Sequence, residues 1–330
     1  MFERMKLGMV GLAVVVLAGA DARAGSAFLG NAASYNVWSF GNVTQDGGDF
    51  QGAVAAAGAF SSNGISVAAN VSSATGDSLV VGGTTSFTNG QVNNGNIRGV
   101  GTVSFTSSGL PGGEIYYGTS SGNNIPNYIT SQYVSNAGLS STFFSATMTD
   151  LTTKSTELAA QSQNGTVTGT GSLVLTGSSA NTNYFNLTAA QLAAASSLSL
   201  SAPSGSTVIV NVSGTSVSET GGFSVSGTSA GDVLFNFYQA TSLTLSSISF
   251  DASILAPTAT LYGSNGNADG NTVVGGVSDV NSSFEFHNTN YFTGTPQFAV
   301  PEPSSLVLMG VSSVVGVAVL GRRRGRRRAA

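Results

Sequence analysis

One local pattern recurs from residue 25 to residue 297: a short run of β-forming residues that ends in glycine, asparagine or serine. Residues 78–81 are SLVV and precede two glycines, residues 102–106 are TVSFT, and residues 207–212 are TVIVNV. Valine, threonine, phenylalanine and isoleucine alternating with small polar residues predict strands with one buried side. Asn-Gly pairs, as at residues 89–90, tolerate the positive φ of tight turns. We therefore predict a mainly β chain.

Many short strands with small polar surfaces fit a sandwich, a barrel or a stacked β-helix. We favour an irregular right-handed β-helix, that is, a solenoid, because small residues let coils stack closely. No strict repeat period is visible. One flanking α-helix is predicted at residues 186–195 (NLTAAQLAAA), with Asn186 as its N-cap. This helix would cover an open edge or a core stripe of the solenoid.

Charge and composition exclude several classes of function. The chain has no cysteine and one histidine, which excludes disulfide frameworks, thiolate metal sites, cysteine nucleophiles and relays of two imidazoles. Residues 25–297 carry two basic residues, Arg98 and Lys154, against twelve acidic ones. A body with a charge of about −10 lacks the basic surface that nucleic acids require. We expect no nucleic-acid partner.

Residues 1–24 have the pattern of a secretory signal peptide. A short charged opening is followed by the apolar residues 7–20 and by Ala22 and Ala24, which form an A-x-A cleavage site. The apolar run is too short to be a comfortable membrane span. We expect the general secretion machinery to export the chain and cleavage to follow Ala24.

Residues 298–330 contain three elements in a specific order. Pro301, Glu302 and Pro303 come first, and the uncharged residues 304–321 follow, just long enough for a transmembrane helix. An arginine cluster comes last and orients the tail toward the cytoplasm. The cluster consists of Arg322, Arg323, Arg324, Arg326, Arg327 and Arg328.

This order resembles the PEP-CTERM protein-sorting signal of Gram-negative bacteria. The resemblance implies that an exosortase in the inner membrane recognises Pro301, Glu302 and Pro303 and processes the tail. The two prolines keep the motif extended, as a processing enzyme would need. A permanent single-span anchor is the alternative.

A second set of motifs is distributed over nearly all of residues 28–292. The motifs are residues 36–41 (NVWSFG), 49–58 (DFQGAVAAAG), 79–83 (LVVGG), 236–237 (NF), 253–259 (SILAPTA), 270–275 (GNTVVG) and 285–287 (EFH). Together they resemble the choice-of-anchor A domain family, which is joined to different surface anchors in different bacteria. Residues 254–257 also resemble the final coils of bacterial ice-binding β-helices. The resemblance implies a body at residues 25–297, between the signal peptide and the sorting segment.

Catalytic candidates are few. Glu285 and His287 are spaced to lie on one side of a strand, as an acid–base pair would. Ser120 and Ser229 each match G-x-S-x-G, but neither lies at the strand-to-helix turn that a nucleophile elbow requires. A structural end motif explains His287, and chance explains the serine matches in so glycine-rich a chain. We predict no catalytic residue.

Asp46 and Asp49 flank two glycines in residues 46–49 (DGGD). Two carboxylates on a flexible turn are the oxygen ligands that calcium prefers, and an exported protein meets abundant calcium. A solvated turn explains the same residues. We therefore predict no resident cofactor and keep calcium as a candidate ligand of Asp46 and Asp49.

These features predict an exported, non-enzymatic protein of the cell surface or extracellular matrix. It would be held transiently in the inner membrane and then associate with exopolysaccharide or take part in adhesion. One alternative is a polysaccharide-acting hydrolase or lyase, which needs two facing acids near aromatic rings. In sequence only Glu114 has tyrosines close by, at Tyr116 and Tyr117.

A second alternative is an ice-binding protein, which needs one flat, regular face of threonine and serine. Threonine alternates with other residues in residues 166–170 (TVTGT) and 241–244 (TSLT). Any exposed strand face shows the same alternation. The two segments therefore remain candidates for such a face.

Overall fold

A computed structural model of the protein describes residues 27–72, 76–279 and 283–298. Within these ranges the protein is mainly β, with strands that pair almost entirely in parallel and with few helices. The elements lie in one compact unit that ends at Pro296. No helix in the three ranges is both long and apolar enough to cross a membrane. The predicted signal peptide, sorting motif, transmembrane helix and arginine cluster lie outside the described residues.

A first group of strands precedes the long helix of the described chain. Its members are β1 (Val37–Ser39), β2 (Val43–Asp46), β3 (Asp49–Phe50), β4 (Val54–Ala56), β5 (Phe60–Asn63), β6 (Ser66–Val67), β7 (Asp77–Val81), β8 (Thr85–Thr88), β9 (Gln91–Val92), β10 (Asn96–Gly99), β11 (Val103–Thr106), β12 (Ile115–Tyr117) and β13 (Ser131–Tyr133). Short 3₁₀ helices at Ala27–Ser34 and Ser135–Gly138 flank this group.

The second half of the unit begins with helix α1 (Phe143–Ala159). The strands and helix that follow are β14 (Thr166–Thr168), β15 (Ser172–Thr176), β16 (Thr182–Thr188), α2 (Ala189–Ala194), β17 (Ser197–Ser201), β18 (Thr207–Ser213), β19 (Ser216–Glu219), β20 (Gly222–Ser226), β21 (Val233–Asn236), β22 (Ser242–Ser246), β23 (Ser249–Phe250), β24 (Ser253–Ser264), β25 (Asn267–Asp269), β26 (Thr272–Asp279) and β27 (Glu285–His287). A 3₁₀ helix at Ala230–Asp232 precedes β21.

The strands stack as three parallel ladders and one smaller sheet. The first ladder has the order β13–β12–β10–β7–β4–β1–β26–β24–β21–β18–β16. The second has the order β11–β8–β5–β2–β26–β24–β22–β19. The third has the order β9–β6–β3–β27–β25–β23. Strands β14, β15, β17 and β20 form the four-stranded sheet.

The order in the ladders departs from the order in the chain at one place, which we call the seam. There β26 pairs with β1 and β2, and β27 pairs with β3. Strands β1 to β13 extend the ladders from the seam in one direction, and β16 to β27 approach it from the other. The chain connects the two ends through α1, which lies against β18, β21 and β24.

One apolar core lies among the ladders, and within it aromatic rings stack from one strand of a ladder to the next. The ring of Phe87 lies 5.4 Å from that of Phe105 and 5.7 Å from that of Phe60, between centroids. Across the seam, Phe50 stacks on Phe286 at 5.0 Å. Because side chains of a strand alternate between its two faces, every second residue of these strands points away from this core.

The outer side of the first ladder is also buried, because α1 covers part of it. Leu151 and Leu158 of the helix belong to one apolar cluster with Ile209 and Leu234 of the strands. Strand β18 is therefore buried at six consecutive positions, as expected for a strand covered on both faces. The second ladder instead alternates buried and exposed residues, as in β5.

The predicted start of the helix at residues 186–195 is wrong. Asn186 lies in β16, and α2 has Thr188 as its N-cap. The Gln191 N–H donates to the Thr188 hydroxyl (3.2 Å), and the Thr188 N–H donates to the Gln191 side-chain oxygen (2.8 Å). This capping box satisfies two backbone donors that Asn186, two residues earlier, could not reach in an extended strand.

The prediction of a single flanking α-helix is also wrong, because α1 is a second and longer one. Its buried residues are Thr147, Leu151, Ser155 and Leu158, spaced at helical intervals. Two of these four are polar, so the stripe has no continuous apolar signal in the sequence. Helix α1 packs through hydrogen bonds as well as through leucines.

Candidate binding face

The four-stranded sheet presents one continuous outer surface, which we call the hydroxyl face. Strands β15, β17 and β20 pair in parallel and in register, and β14 adds antiparallel to β15. Leucines such as Leu173 and Leu198 point into the core, so the alternate residues point outward. The hydroxyl face consists of Thr166, Thr168, Ser172, Val174, Thr176, Ser197, Ser199, Ser201, Gly222, Ser224 and Ser226. Nine of these eleven residues are serine or threonine.

In-register pairing turns the hydroxyl face into a two-dimensional lattice. Strands lie about 4.8 Å apart, and residues i and i+2 of one strand lie about 6.6 Å apart. Ser199 stands opposite Ser224, and its hydroxyl accepts a hydrogen bond from that of Ser224 at 3.3 Å. Except for the half-buried Ser197, the residues of the face are exposed. The face therefore offers rows of hydroxyls at regular spacing.

The hydroxyl face is electrically neutral. No charged residue occurs in the sequence between Glu157 and Glu219. Glu219 itself is 3% exposed, and burial raises its pKa to about 7. A ligand that complements this face therefore has to be matched by hydroxyl hydrogen bonds rather than by charge.

The outer side of the second ladder carries a less uniform row of hydroxyls. Its in-register members are Ser104, Ser86, Ser61 and Thr44 on one side of the seam and Ser218 and Thr244 on the other. Asp46 and Tyr262 share this surface. Of the two threonine segments singled out in the sequence, residues 166–168 lie on the hydroxyl face and residues 242–244 lie here. The structure therefore does not bring the two segments onto one face.

Asp46 and Asp49 each bind a residue of the next strand in their own ladder. The Asp46 carboxylate accepts a hydrogen bond from the Asn63 amide at 3.0 Å, and that of Asp49 accepts one from the Ser66 N–H at 2.7 Å. Burial raises the pKa of Asp49, and the Ser66 N–H partly offsets that rise. Among the residues that the structure describes, no group of three or more acidic or histidine side chains could hold a metal ion.

Glu285 and His287 lie on one side of β27, as the spacing predicts, and a third residue joins them. Both ring nitrogens of His287 face carboxylates: Nε2 lies 3.0 Å from Glu285, and Nδ1 lies 3.0 Å from Asp269. Both contacts are hydrogen bonds at once only when both nitrogens carry protons. Asp269 also accepts from the Asn267 amide at 2.8 Å and from the Thr289 hydroxyl at 3.1 Å. This arrangement ties together the strands next to the seam.

Two acids face each other in this cluster, which is the feature that the hydrolase alternative requires. Burial and a hydrogen bond to Asp269 raise the pKa of Asp251 to about 6. Directly hydrogen-bonded carboxyl groups are closer than the separation of about 5 Å or more that glycosidases use. Ser229, a match to the nucleophile motif, caps a 3₁₀ turn by accepting a hydrogen bond from the Gly231 N–H at 3.2 Å. Ser229 therefore has a structural role in this turn.

Comparison with protein families identifies the body of the chain. Residues 28–288 match a family model described as "Putative Ice-binding-like adhesive domain". The chain belongs to this family. A second match, at residues 299–327, is the PEP-CTERM protein-sorting motif. A PEP-CTERM motif behind an ice-binding-like adhesive domain indicates export to the cell surface or extracellular space, with sorting by an exosortase.

Solved structures similar to this ice-binding-like adhesive domain include three ice-binding proteins. The protein from the Antarctic ascomycete Antarctomyces psychrotrophicus is 13% identical, with coverage of 82% of this chain and 98% of that chain and a TM-score of 0.35. A glycosylated protein from an Arctic yeast is 13% identical, with coverage of 83% and 96% and a TM-score of 0.34. A domain from Shewanella frigidimarina is 14% identical, with coverage of 79% and 96% and a TM-score of 0.35. No curated protein matches the chain.

Proposed function

We propose that the protein is a non-enzymatic adhesive protein whose hydroxyl face binds exopolysaccharide outside the cell. The observation that carries this proposal is the neutral lattice of nine serine and threonine residues on the four-stranded sheet. Each hydroxyl can donate and accept a hydrogen bond. A lattice of them can therefore make many weak contacts with the repeated hydroxyls of a polysaccharide chain.

The proposal is tested by placing charge on the hydroxyl face. Ser199→Lys with Ser201→Lys introduces two bulky cations, and we expect at least a tenfold loss of retention on exopolysaccharide purified from the producing cells. The matched control is Thr152→Lys with Thr156→Lys, on the exposed side of α1, which should leave retention unchanged. Running both with and without calcium shows whether retention depends on calcium, the candidate ligand of Asp46 and Asp49. Absence of retention of the unsubstituted protein both with and without calcium would count against the proposal.

Ice binding is the second candidate, favoured by the regular spacing of the hydroxyl face. It predicts thermal hysteresis in solutions of the unsubstituted protein and loss of hysteresis in the Ser199→Lys, Ser201→Lys variant. Retention on exopolysaccharide without hysteresis would support adhesion alone. Hysteresis without retention would support ice binding alone.

We also propose the route by which the protein reaches the surface. Residues 1–24 would be the signal peptide, residues 25–297 a body of the choice-of-anchor A type, and residues 298–330 the sorting segment. Pro301, Glu302 and Pro303 would be recognised by the exosortase while residues 304–321 span the inner membrane, with the arginine cluster in the cytoplasm. Mass spectrometry of the native protein from cell fractions should find Gly25 at the N-terminus and no arginine cluster. Intact chain in the cytosol would contradict this route.

We propose in addition that the three ladders are the sides of an irregular right-handed β-helix. Away from the seam, paired parallel strands are 16 to 26 residues apart, as in Ile115 with Ser131 and Ser216 with Ser242, which supports one coil between paired strands. Crossovers between parallel strands of one sheet are right-handed in about 98% of cases.

A further inference from the structure

The first ladder ends at β13, and we call residues 113–133, which lead to this end, the terminal coil. Strand β13 pairs with β12 on one side, and its three residues are exposed. Two tyrosines of the terminal coil are the most exposed large hydrophobic side chains of the described residues. Tyr128 is 75% exposed, and Tyr133 is 54% exposed. The terminal coil therefore presents aromatic surface to solvent at these two positions.

Both rings are held in position by contacts at one end or one face. The Tyr128 hydroxyl donates a hydrogen bond to the Ser108 carbonyl at 3.0 Å, and the next residue, Ile129, is buried. The ring of Tyr133 lies 6.1 Å from that of Tyr117, which packs against the core. Each ring is thus anchored while much of its surface stays open to solvent. The side chain therefore loses little conformational entropy when a ligand stacks on it.

The chain segment that carries the two rings is polar and uncharged. No charged residue occurs in the sequence between Glu114 and Asp150. Exposed hydroxyl and amide side chains lie beside the rings in the chain, among them Ser131 and Gln132 of β13. Aromatic faces bind the C–H faces of a sugar ring, and hydroxyl and amide groups bind its hydroxyls. A neutral sugar matches this combination, whereas an acidic or a cationic ligand finds no counter-charge in residues 115–149.

A second aromatic group lies on the neighbouring strands of the same end. The Tyr116 hydroxyl donates to Glu114 at 2.8 Å, and the guanidinium of Arg98 lies 4.4 Å from the centre of the Tyr116 ring. Arg98 also binds Asp77 and the Ala137 carbonyl. Arg98, Glu114 and Tyr116 thus already contact one another or neighbouring groups, which leaves the open rings of Tyr128 and Tyr133 as the contact surface.

We propose that the terminal coil is a binding site for neutral oligosaccharides, whose sugar rings stack on Tyr128 and Tyr133. The five-residue separation limits the distance between the two Cα atoms to about 17 Å, so an oligosaccharide of several units is long enough to reach from one ring to the other. A protein strand added to β13 is disfavoured because a three-residue edge is a short template. Tyr133 is in β13 of the first ladder, Tyr128 is in the turn that precedes it, and neither belongs to the hydroxyl face, so either site can fail without the other.

The test measures binding of cellohexaose and mannohexaose to the full chain by isothermal titration calorimetry. Tyr128→Ala and Tyr133→Ala should each weaken binding at least tenfold, and Tyr133→Phe, which keeps the ring, should stay within about twofold of the unsubstituted chain. Tyr262→Ala is the matched control, since Tyr262 is 44% exposed on the second ladder, and it should bind normally. The Thr152→Lys, Thr156→Lys variant, whose substitutions lie on the exposed side of α1, should also bind normally.

Three outcomes would overturn the proposal. The first is absence of binding of both hexasaccharides to the unsubstituted chain. The second is equal loss of binding in Tyr262→Ala. The third is a dimer in sedimentation experiments that Tyr133→Ala dissociates while sugar binding is unaffected, which would assign the rings to a second copy of the chain.

Discussion

At the residue scale, Glu219 is a carboxyl group that the fold buries with one oxygen unpartnered. Its Oε1 accepts a hydrogen bond from the Gly221 N–H at 2.9 Å, whereas the buried Oε2 has no partner among the described residues. An ionised carboxylate in such a place loses its hydration without compensation. Burial therefore raises the pKa of Glu219 to about 7, and the folded protein holds a proton that the unfolded chain releases at lower pH.

This pKa predicts a stability that falls as pH rises. Because the folded state binds more protons than the unfolded state between about pH 4.5 and pH 7, the free energy of unfolding should decrease across that interval. The full effect for a shift of this size is on the order of 3 kcal/mol. Glu219→Gln keeps an acceptor for Gly221 and cannot ionise, so it should be more stable than the unsubstituted protein at pH 8 and about equal at pH 4.

Urea unfolding at both pH values measures the Glu219→Gln effect. Glu157→Gln, an exposed carboxyl on α1, is the matched control and should keep the pH dependence of the unsubstituted protein. Raised pKa values at Asp251 and Asp49 act in the same direction, so the difference between the two variants is the informative quantity. Parallel pH profiles for Glu219→Gln and Glu157→Gln would contradict the prediction.

Individual side chains were predictable where spacing in one strand decides the geometry. Glu285 and His287 lie side by side because residues i and i+2 of a strand share a face. The third partner, Asp269, lies in β25, the strand that pairs with β27. No local pattern in the sequence connects it to His287. Contacts between neighbouring strands of a ladder depend on which residues pair with each other. The sequence shows this pairing only where successive paired strands are separated by equal numbers of residues.

At the element scale, the hydroxyl face lies in the region where successive paired strands are separated by a constant number of residues. Ser172, Ser197 and Gly222 are paired and are spaced by 25 residues, and so are Asn186, Asn211 and Asn236. The alternations SLVLT, SLSLS and GFSVS at this spacing are a signal from which the hydroxyl face could have been predicted. In the first half the spacing changes from 17 to 25 to 18 residues, which hides the repeat.

The same 25-residue spacing builds an asparagine ladder that holds α1. The Asn236 amide donates to the Ser155 carbonyl at 2.8 Å and to the Asn211 side chain at 2.9 Å, and its oxygen accepts from the Ser155 hydroxyl at 2.6 Å. Asn211 donates to the Leu158 carbonyl at 2.9 Å. Helix α1 was not predicted because half of its buried stripe is polar: Ser155 binds this ladder, and Thr147 accepts a hydrogen bond from the Asn31 amide at 3.2 Å.

The ladder predicts that Asn236→Ala is strongly destabilising. The substitution leaves buried polar groups of Ser155 and Asn211 unpaired, and it should lower the free energy of unfolding by about 2–4 kcal/mol. Asn186→Ala, at the exposed end of the same ladder, should cost less than about 1 kcal/mol. Urea denaturation of both variants measures the difference. Equal losses would show that α1 is held by its leucines alone.

At the scale of the whole molecule, the seam makes the two halves of the chain depend on each other. Strand β26 lies between β24 and β1, so residues near the end of the body fill the middle of the first ladder. The backbones approach closely there: a Cβ on Gly41 would lie 2.4 Å from the Gly275 carbonyl oxygen. Composition and strand patterns predicted a mainly β chain, but they carry no information about this non-sequential pairing.

The seam predicts that the body unfolds in one cooperative step. Trp38 is the only tryptophan and pairs with Val273 across the seam, so its fluorescence reports the seam, while far-UV circular dichroism reports all of the ladders. The two unfolding transitions should coincide.

In Gly41→Ala the added methyl group pushes β26 away. The free energy of unfolding measured by either signal should then fall by the same amount, about 2 kcal/mol or more. Gly171→Ala, with open space around its Cβ, should move neither by more than about 1 kcal/mol. A fluorescence transition that precedes the loss of circular dichroism would mean that the halves are independently stable and that the seam is only a contact between them.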